Sequence, residues 1–286
     1  MSLMESQDVQ ALRSDALTPV EIEAKAEALG VAKANMGFRQ AFVLSILAGL
    51  FIGLGGMFML LTKSEASFPY VVAQLLGGVG FCLGLFIVIT TGAELFTGNC
   101  LMICGKLSNR FTWGRMLKSW LIVYLGNLVG SLILVAVLFF AQYWAVNGEA
   151  VGNAMITVAS SKINQGWDIL LFKGILCNLL VSLAVWIAYA GRTIADKFFA
   201  IILPITAFVA CGFEHCVANM FFLPMALALN ASGFAYAGTA SLDVLTVGGV
   251  LFNLSAVTLG NIVGGAVFVG VSYWLAYHKK ETPSTQ

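Results

Sequence analysis

Apolar residues in this chain are gathered into six long blocks separated by short polar stretches. The blocks run over 40–62, 70–105, 116–144, 167–190, 198–229 and 246–277. A helix of about 20 apolar residues crosses the hydrocarbon core of a bilayer, so each block is long enough to span one. Blocks two and five are longer than one plain span requires. Each carries, away from its ends, an acidic residue that no other block has in its interior.

The two interruptions are alike. Block two contains Thr90-Thr91-Gly92-Ala93-Glu94-Leu95-Phe96-Thr97-Gly98-Asn99, and block five contains Cys211-Gly212-Phe213-Glu214-His215-Cys216-Val217-Ala218-Asn219. Both read Glu-x-x-x-x-Asn, and the two copies are 120 residues apart, with His215 at the place of Leu95. A second match lies 134 residues apart: Leu125-Gly126-Asn127-Leu128-Val129-Gly130 against Leu259-Gly260-Asn261-Ile262-Val263-Gly264. These matches imply a duplicated three-span unit, with repeats at about 40–144 and 167–277. An odd number of spans per copy makes the copies face opposite ways, and the broken helices of such inverted repeats mark the transport pathway. Non-helical backbone inside a bilayer survives only where protein or water satisfies it. The freed helix ends present N–H groups and a positive dipole end to an anion.

The rest of the chain fits around these blocks. Residues 1–37 are polar. Within them Thr18-Pro19-Val20-Glu21 has the form of a capping box with proline at the first helical position, and predicts a short surface helix to about Leu29. The run Met1-Ser2-Leu3-Met4 is consistent with a native start at Met4. Basic residues are asymmetric. Arg13, Lys25, Lys33, Arg39, Lys106, Arg110, Arg115, Lys118, Arg192, Lys197, Lys279 and Lys280 fall on one side, and only Lys63, Lys162 and Lys173 on the other. Twelve against three puts both termini in the cytoplasm. The expected organisation is a cytoplasmic segment at 1–37, a channel domain at 38–278 and a cytoplasmic tail at 279–286.

Composition agrees: 59% of residues are hydrophobic and 10% charged, where soluble domains carry about 25% charged residues. The net charge of +1 gives no reason to expect nucleic-acid binding. Six cysteines all lie in apolar blocks; Cys100 and Cys104 share a helix face, but no second pair of soft ligands follows. We therefore expect buried thiols, with no metal and no cofactor. Of two histidines only His215 lies in a span. An ionisable residue there is costly and marks function by default. Glu94 and Glu214 have two readings: proton-relay groups, or carboxylates that hold each break in shape by accepting backbone N–H bonds, with Asn99 and Asn219 beside them. Lys162, in an outer stretch next to Ser160 and Ser161, reads either as a solvated charge or as an anion lure.

The Glu94–Asn99 segment, the Gly212–Asn219 segment and the paired Leu-Gly-Asn segments together resemble the formate/nitrite transporter family, most of all its formate-channel branch. The resemblance covers roughly 20–278. It implies an all-α fold of six spans in an aquaporin-like three-plus-three arrangement, with the second and fifth helices broken. It further implies a pore in each protomer and a homopentamer. It makes His215 the central pore histidine and Thr97 the facing threonine of a mobile loop. Phe81, Leu85, Leu95, Phe96 and Phe208 become the hydrophobic narrowings, with Val181 beside them, Asn178 a pore-adjacent asparagine and Lys162 a vestibule lysine.

The expected function is a passive, pH-gated formate channel of the bacterial inner membrane, without enzymatic activity, in which passage is proton-coupled through His215. Its partners are formate or a similar small monovalent anion, the lipid bilayer and further copies of the chain; a cytoplasmic enzyme docking on the N-terminal helix is left open. Alternatives are a nitrite or hydrosulfide channel, and a neutral-solute pore. A haem-bearing membrane subunit is disfavoured, because axial ligation usually takes histidine pairs.

Overall fold

A computed structural model describes residues 16–278. The expectations for Met1–Met4, Arg13, Lys279, Lys280 and the tail lie outside these residues. All regular structure among the described residues is helical. The capping-box helix α1 runs Pro19–Ala34, one turn and more beyond its expected end, and Thr18 caps it reciprocally with Glu21. The first repeat holds α2 (Phe38–Lys63), α3 (Tyr70–Thr91), the short α4 (Phe96–Asn99), a 3₁₀ turn at Cys100–Met102, α5 (Ile103–Leu107) and α6 (Trp113–Phe140). The second holds α8 (Trp167–Ala190), α9 (Ile194–Ala210), α10 (Cys216–Ala231) and α11 (Val247–Ile262). The last is prolonged by a π-wound stretch at Val263–Val271 and by α12 (Ser272–Tyr277).

Among the described residues, five helical segments are long and apolar enough to cross a membrane: α2, α3, α6, α8 and the continuous run Val247–Tyr277. The fifth block forms no single span. Its helices α9 and α10 have 17 and 16 residues, separated by the Cys211–His215 break. One element was not foreseen. The connection between repeats contains α7 (Ala150–Ile163), so Lys162 stands in the last turn of a helix and not in an irregular loop. The reason is spacing: Val151, Met155, Ile156, Ala159 and Ile163 recur on one face and are buried.

The repeats pack alike. In the first, α2 lies against α3 and α6; in the second, α8 lies against α9 and α11. Glycine makes the α2–α6 and α8–α11 approaches close enough. A Cβ on Gly130 would overlap the Ile46 carbonyl, and one on Gly260 would overlap the Leu171 carbonyl. Such small-residue contacts replace the hydrophobic drive that lipid does not supply. Large apolar side chains such as Leu121, Phe140, Leu203 and Leu275 face outward, as in a body surrounded by hydrocarbon or by further protomers.

Candidate functional site

Each break turns at a glycine near its start. Gly92 ends α3 at φ 75° and Gly212 follows α9 at φ 70°, both in the left-handed region that glycine enters without penalty. Three residues of extended or irregular chain come next, and a new helix begins at Phe96 or Cys216. The backbone groups freed there are satisfied by a pair of asparagines. The Asn127 side chain accepts from the Phe96 N–H (2.9 Å) and donates to the Ser45 and Glu94 carbonyls (2.8 and 2.9 Å). Asn261 repeats this on Cys216 N–H (2.8 Å) and on the Gly174 and Glu214 carbonyls (2.8 and 2.9 Å).

The carboxylates do something else than expected. Glu94 and Glu214 accept from side chains, not from backbone N–H groups. Glu94 accepts from Asn99 (2.8 Å) and Lys33 (2.6 Å), and Glu214 from Asn219 (2.7 Å) and Lys162 (3.0 Å). The Asn127 and Asn261 amides instead take the first N–H of each new helix. Each buried carboxylate thus carries a lysine, as a buried charge requires. Asn253 extends the second network, joining Asn219 to the Lys162 carbonyl.

The two breaks meet at a buried pair: Thr97 Oγ1 lies 3.0 Å from His215 Nε2. His215 is also the N-cap of α10, where its Nδ1 accepts the Ala218 N–H at 3.1 Å. That bond assigns the tautomer. With Nδ1 an acceptor, the ring is neutral and carries its proton on Nε2, donated to Thr97. A second ring proton would have to displace the Ala218 bond. The Phe208 ring lies over the imidazole at 6.0 Å and meets Phe81 edge-on at 5.5 Å.

Two cavities of about 350 Å³ each approach this centre from opposite ends and share no lining residue. One is bounded by Lys63, Lys162, Lys173, Glu214 and the Phe81–Phe208–His215 wall. The other, on the side of α1, is bounded by Lys25, Lys33, Lys197, Glu94, Leu85 and Leu95. Both are therefore rich in cations. Burial, with Lys197 and Arg192 nearby, pulls the Lys25 ammonium down from the ordinary lysine range.

Not every anticipated residue faces these cavities. Phe96 turns towards α6, with its ring against Tyr124 (5.0 Å) and Trp120 (6.1 Å). Asn178 is buried and holds backbone, donating to the Thr97 and Asn261 carbonyls at 3.2 and 2.6 Å. Val181 is buried on α8 and lines neither cavity. Sequence reasoning missed Lys33, Asn127, Asn253 and Asn261. The asparagines in the repeated Leu-Gly-Asn segments offered a signal, since an amide inside an apolar helix demands partners. Lys33 offered none.

The arrangement defines a class: a membrane channel protein with two opposed half-helix breaks and a polar centre between cation-lined vestibules. The formate/nitrite transporter family model matches residues 20–275, and the chain belongs to that family. It is 39% identical over 274 residues to the formate channel FocA of Escherichia coli (strain K12), covering 92% of this chain and 95% of that protein. It is 36% identical over 252 residues to the nitrite transporter NirC of Salmonella typhimurium, covering 85% of each. A solved structure described as a pentameric formate channel with formate bound matches with a TM-score of 0.77 at 38% identity, covering 85% of this chain and 98% of that one.

Proposed function

We propose that this chain is a passive, gated channel for formate in the bacterial inner membrane, working as a homopentamer with a pore in each protomer and both termini in the cytoplasm. The observation that carries this reading is the buried Thr97–His215 contact, set where the two breaks meet and between two lysine-lined cavities. Formate is ionised at neutral pH, and an anion entering an apolar constriction loses hydration at large cost. Lysines at both mouths gather the anion. Phe81, Phe208, Leu85 and Leu95 make the region between the mouths apolar, which favours a transiently neutral species and raises the pKa of the acid passing through. His215 meets the permeant with an Nε2–H donor once Thr97 moves aside, and Ala218 holds the ring in that orientation. Proton transfer from the ring to formate requires its doubly protonated form, which gives up the Ala218 bond.

Identity to NirC supports a second reading, nitrite as permeant, since nitrite is a bent monovalent anion of similar size. The test uses proteoliposomes loaded with a pH-sensitive dye and challenged in turn with formate, acetate, nitrite and hydrosulfide. We expect the fastest response with formate, and loss of the pH dependence of uptake in His215→Asn. A faster response to nitrite would replace the substrate assignment. Wild-type rate and pH dependence in His215→Asn would remove the role given to the ring.

A further inference from the structure

Away from the pathway, the N-terminal helix and the end of the last helix enclose a group of side chains that the channel reading does not use. Glu23, Glu27 and His278 each turn a ligand atom inward, and these atoms all lie within 4.8 Å of one another. Glu23 is 3% exposed, and its Oε1 is buried without any hydrogen-bond partner among the described residues. An orphaned carboxylate oxygen at such a depth is uncommon and calls for an explanation. The group opens onto a surface cavity of about 530 Å³, bounded also by Arg110 and Tyr277, so an ion has a way in.

The surroundings hold the other donors in place. His278 Nδ1 lies 2.8 Å from Glu27 Oε1, and the Ser108 hydroxyl, which donates to Glu27, is 3.3 Å from the same nitrogen. Trp274 donates to Ser108 at 2.8 Å and stacks on the His278 ring at 4.9 Å. A cation, Arg110, also touches the group, with Nε 3.7 Å from Glu27 Oε2 and a half-exposed side chain. Ligand bonds of about 2.0–2.2 Å place neighbouring donors of a tetrahedral ion roughly 3.3–3.5 Å apart. The observed spread comes within a small side-chain adjustment of that.

We propose that Glu23, Glu27 and His278 form a binding site for a divalent transition-metal ion of the zinc class, with the remaining coordination open to the cavity. Two carboxylates and one imidazole suit such borderline ions better than magnesium or calcium, which prefer all-oxygen shells. The bound ion would tie α1 to the end of the channel's last helix.

The test uses the full-length chain without an affinity tag, purified in detergent, in a Cys211→Ser background because Cys211 is an exposed thiol that could bind zinc itself. Zinc is titrated calorimetrically, with magnesium as control and cobalt as a spectroscopic probe. We expect one zinc per chain, visible cobalt d–d bands, and about ten-fold or greater weakening in each of Glu23→Gln and His278→Asn. His278 lies beyond the last helix, so its replacement leaves the spans intact and keeps the test valid should Glu23→Gln fold poorly. Absence of zinc binding, or binding that both variants leave unchanged, would overturn the site.

Discussion

The two helix breaks share a backbone design but lead into different elements. After the second break the chain enters α10, a helix of 16 residues whose N-cap is His215 and whose first turn is bonded to that ring. After the first break it enters α4, four residues long, then a 3₁₀ turn and a five-residue helix; the equivalent cap position is Leu95, which makes no side-chain cap bond. A side-chain cap contributes about 1 kcal/mol; the first half-helix lacks one, and its continuous run over 96–107 changes winding twice. We infer that the second break is the more fixed platform that presents chemistry, and that the first is the softer element that faces it. Duplication supplied both halves with the same amide anchor. Local sequence then gave one a side-chain cap and the other none.

The largest effect should come from removing the anchors. Asn261→Leu leaves the Cys216 N–H and the Glu214 carbonyl buried without the partner they have here, at about 1–3 kcal/mol for each group. We expect loss of the assembled channel on size-exclusion chromatography. Asn127→Leu, on the softer side, should retain more assembly; equal loss from both would break the comparison.

Next come the lysines. Removing one partner of a buried ion pair costs about 3–5 kcal/mol, because the other charge is left behind. Lys162→Met strands Glu214 beneath the rigid break and should lower thermal stability most. Lys33→Met strands Glu94, which is slightly more open, and should destabilise less while freeing α1 for proteolysis. A reversal of this order, read from melting in detergent and limited digestion, would contradict the assignment of rigidity.

A chain beginning at Gly37 lacks α1 and Lys33 altogether. If α1 closes the softer break in acid, with Gly92 and Gly98 as hinges, this truncation should still fold but lose acid inactivation in liposomes; unchanged inactivation would exclude α1 from gating. The smallest expected change is Thr97→Val, which removes the bond to His215 Nε2 at about 1 kcal/mol. It should leave assembly intact and alter the rate of formate uptake several-fold; wild-type flux would show that Thr97 only packs.

Much of this architecture could be read from residue order. Apolar blocks, interrupted helices and a duplicated Glu-x-x-x-x-Asn are local patterns, and in a bilayer each apolar block has few alternatives to a helix. Glycine at both breaks and the capping box at Thr18 are equally local, since they depend on backbone geometry within a few residues. The partners of Glu94 and Glu214 were not legible, because Lys33 and Lys162 reach them from helices 61 and 52 residues away, and nothing in either lysine's neighbourhood reveals where it will dock. Phe96 shows the same limit: its place beside a pathway residue says nothing of which way its ring turns, and packing against Tyr124 and Trp120 decided that. The meeting of Thr97 with His215 likewise needed both breaks folded, because a contact across 118 residues is a property of how the two repeats face each other.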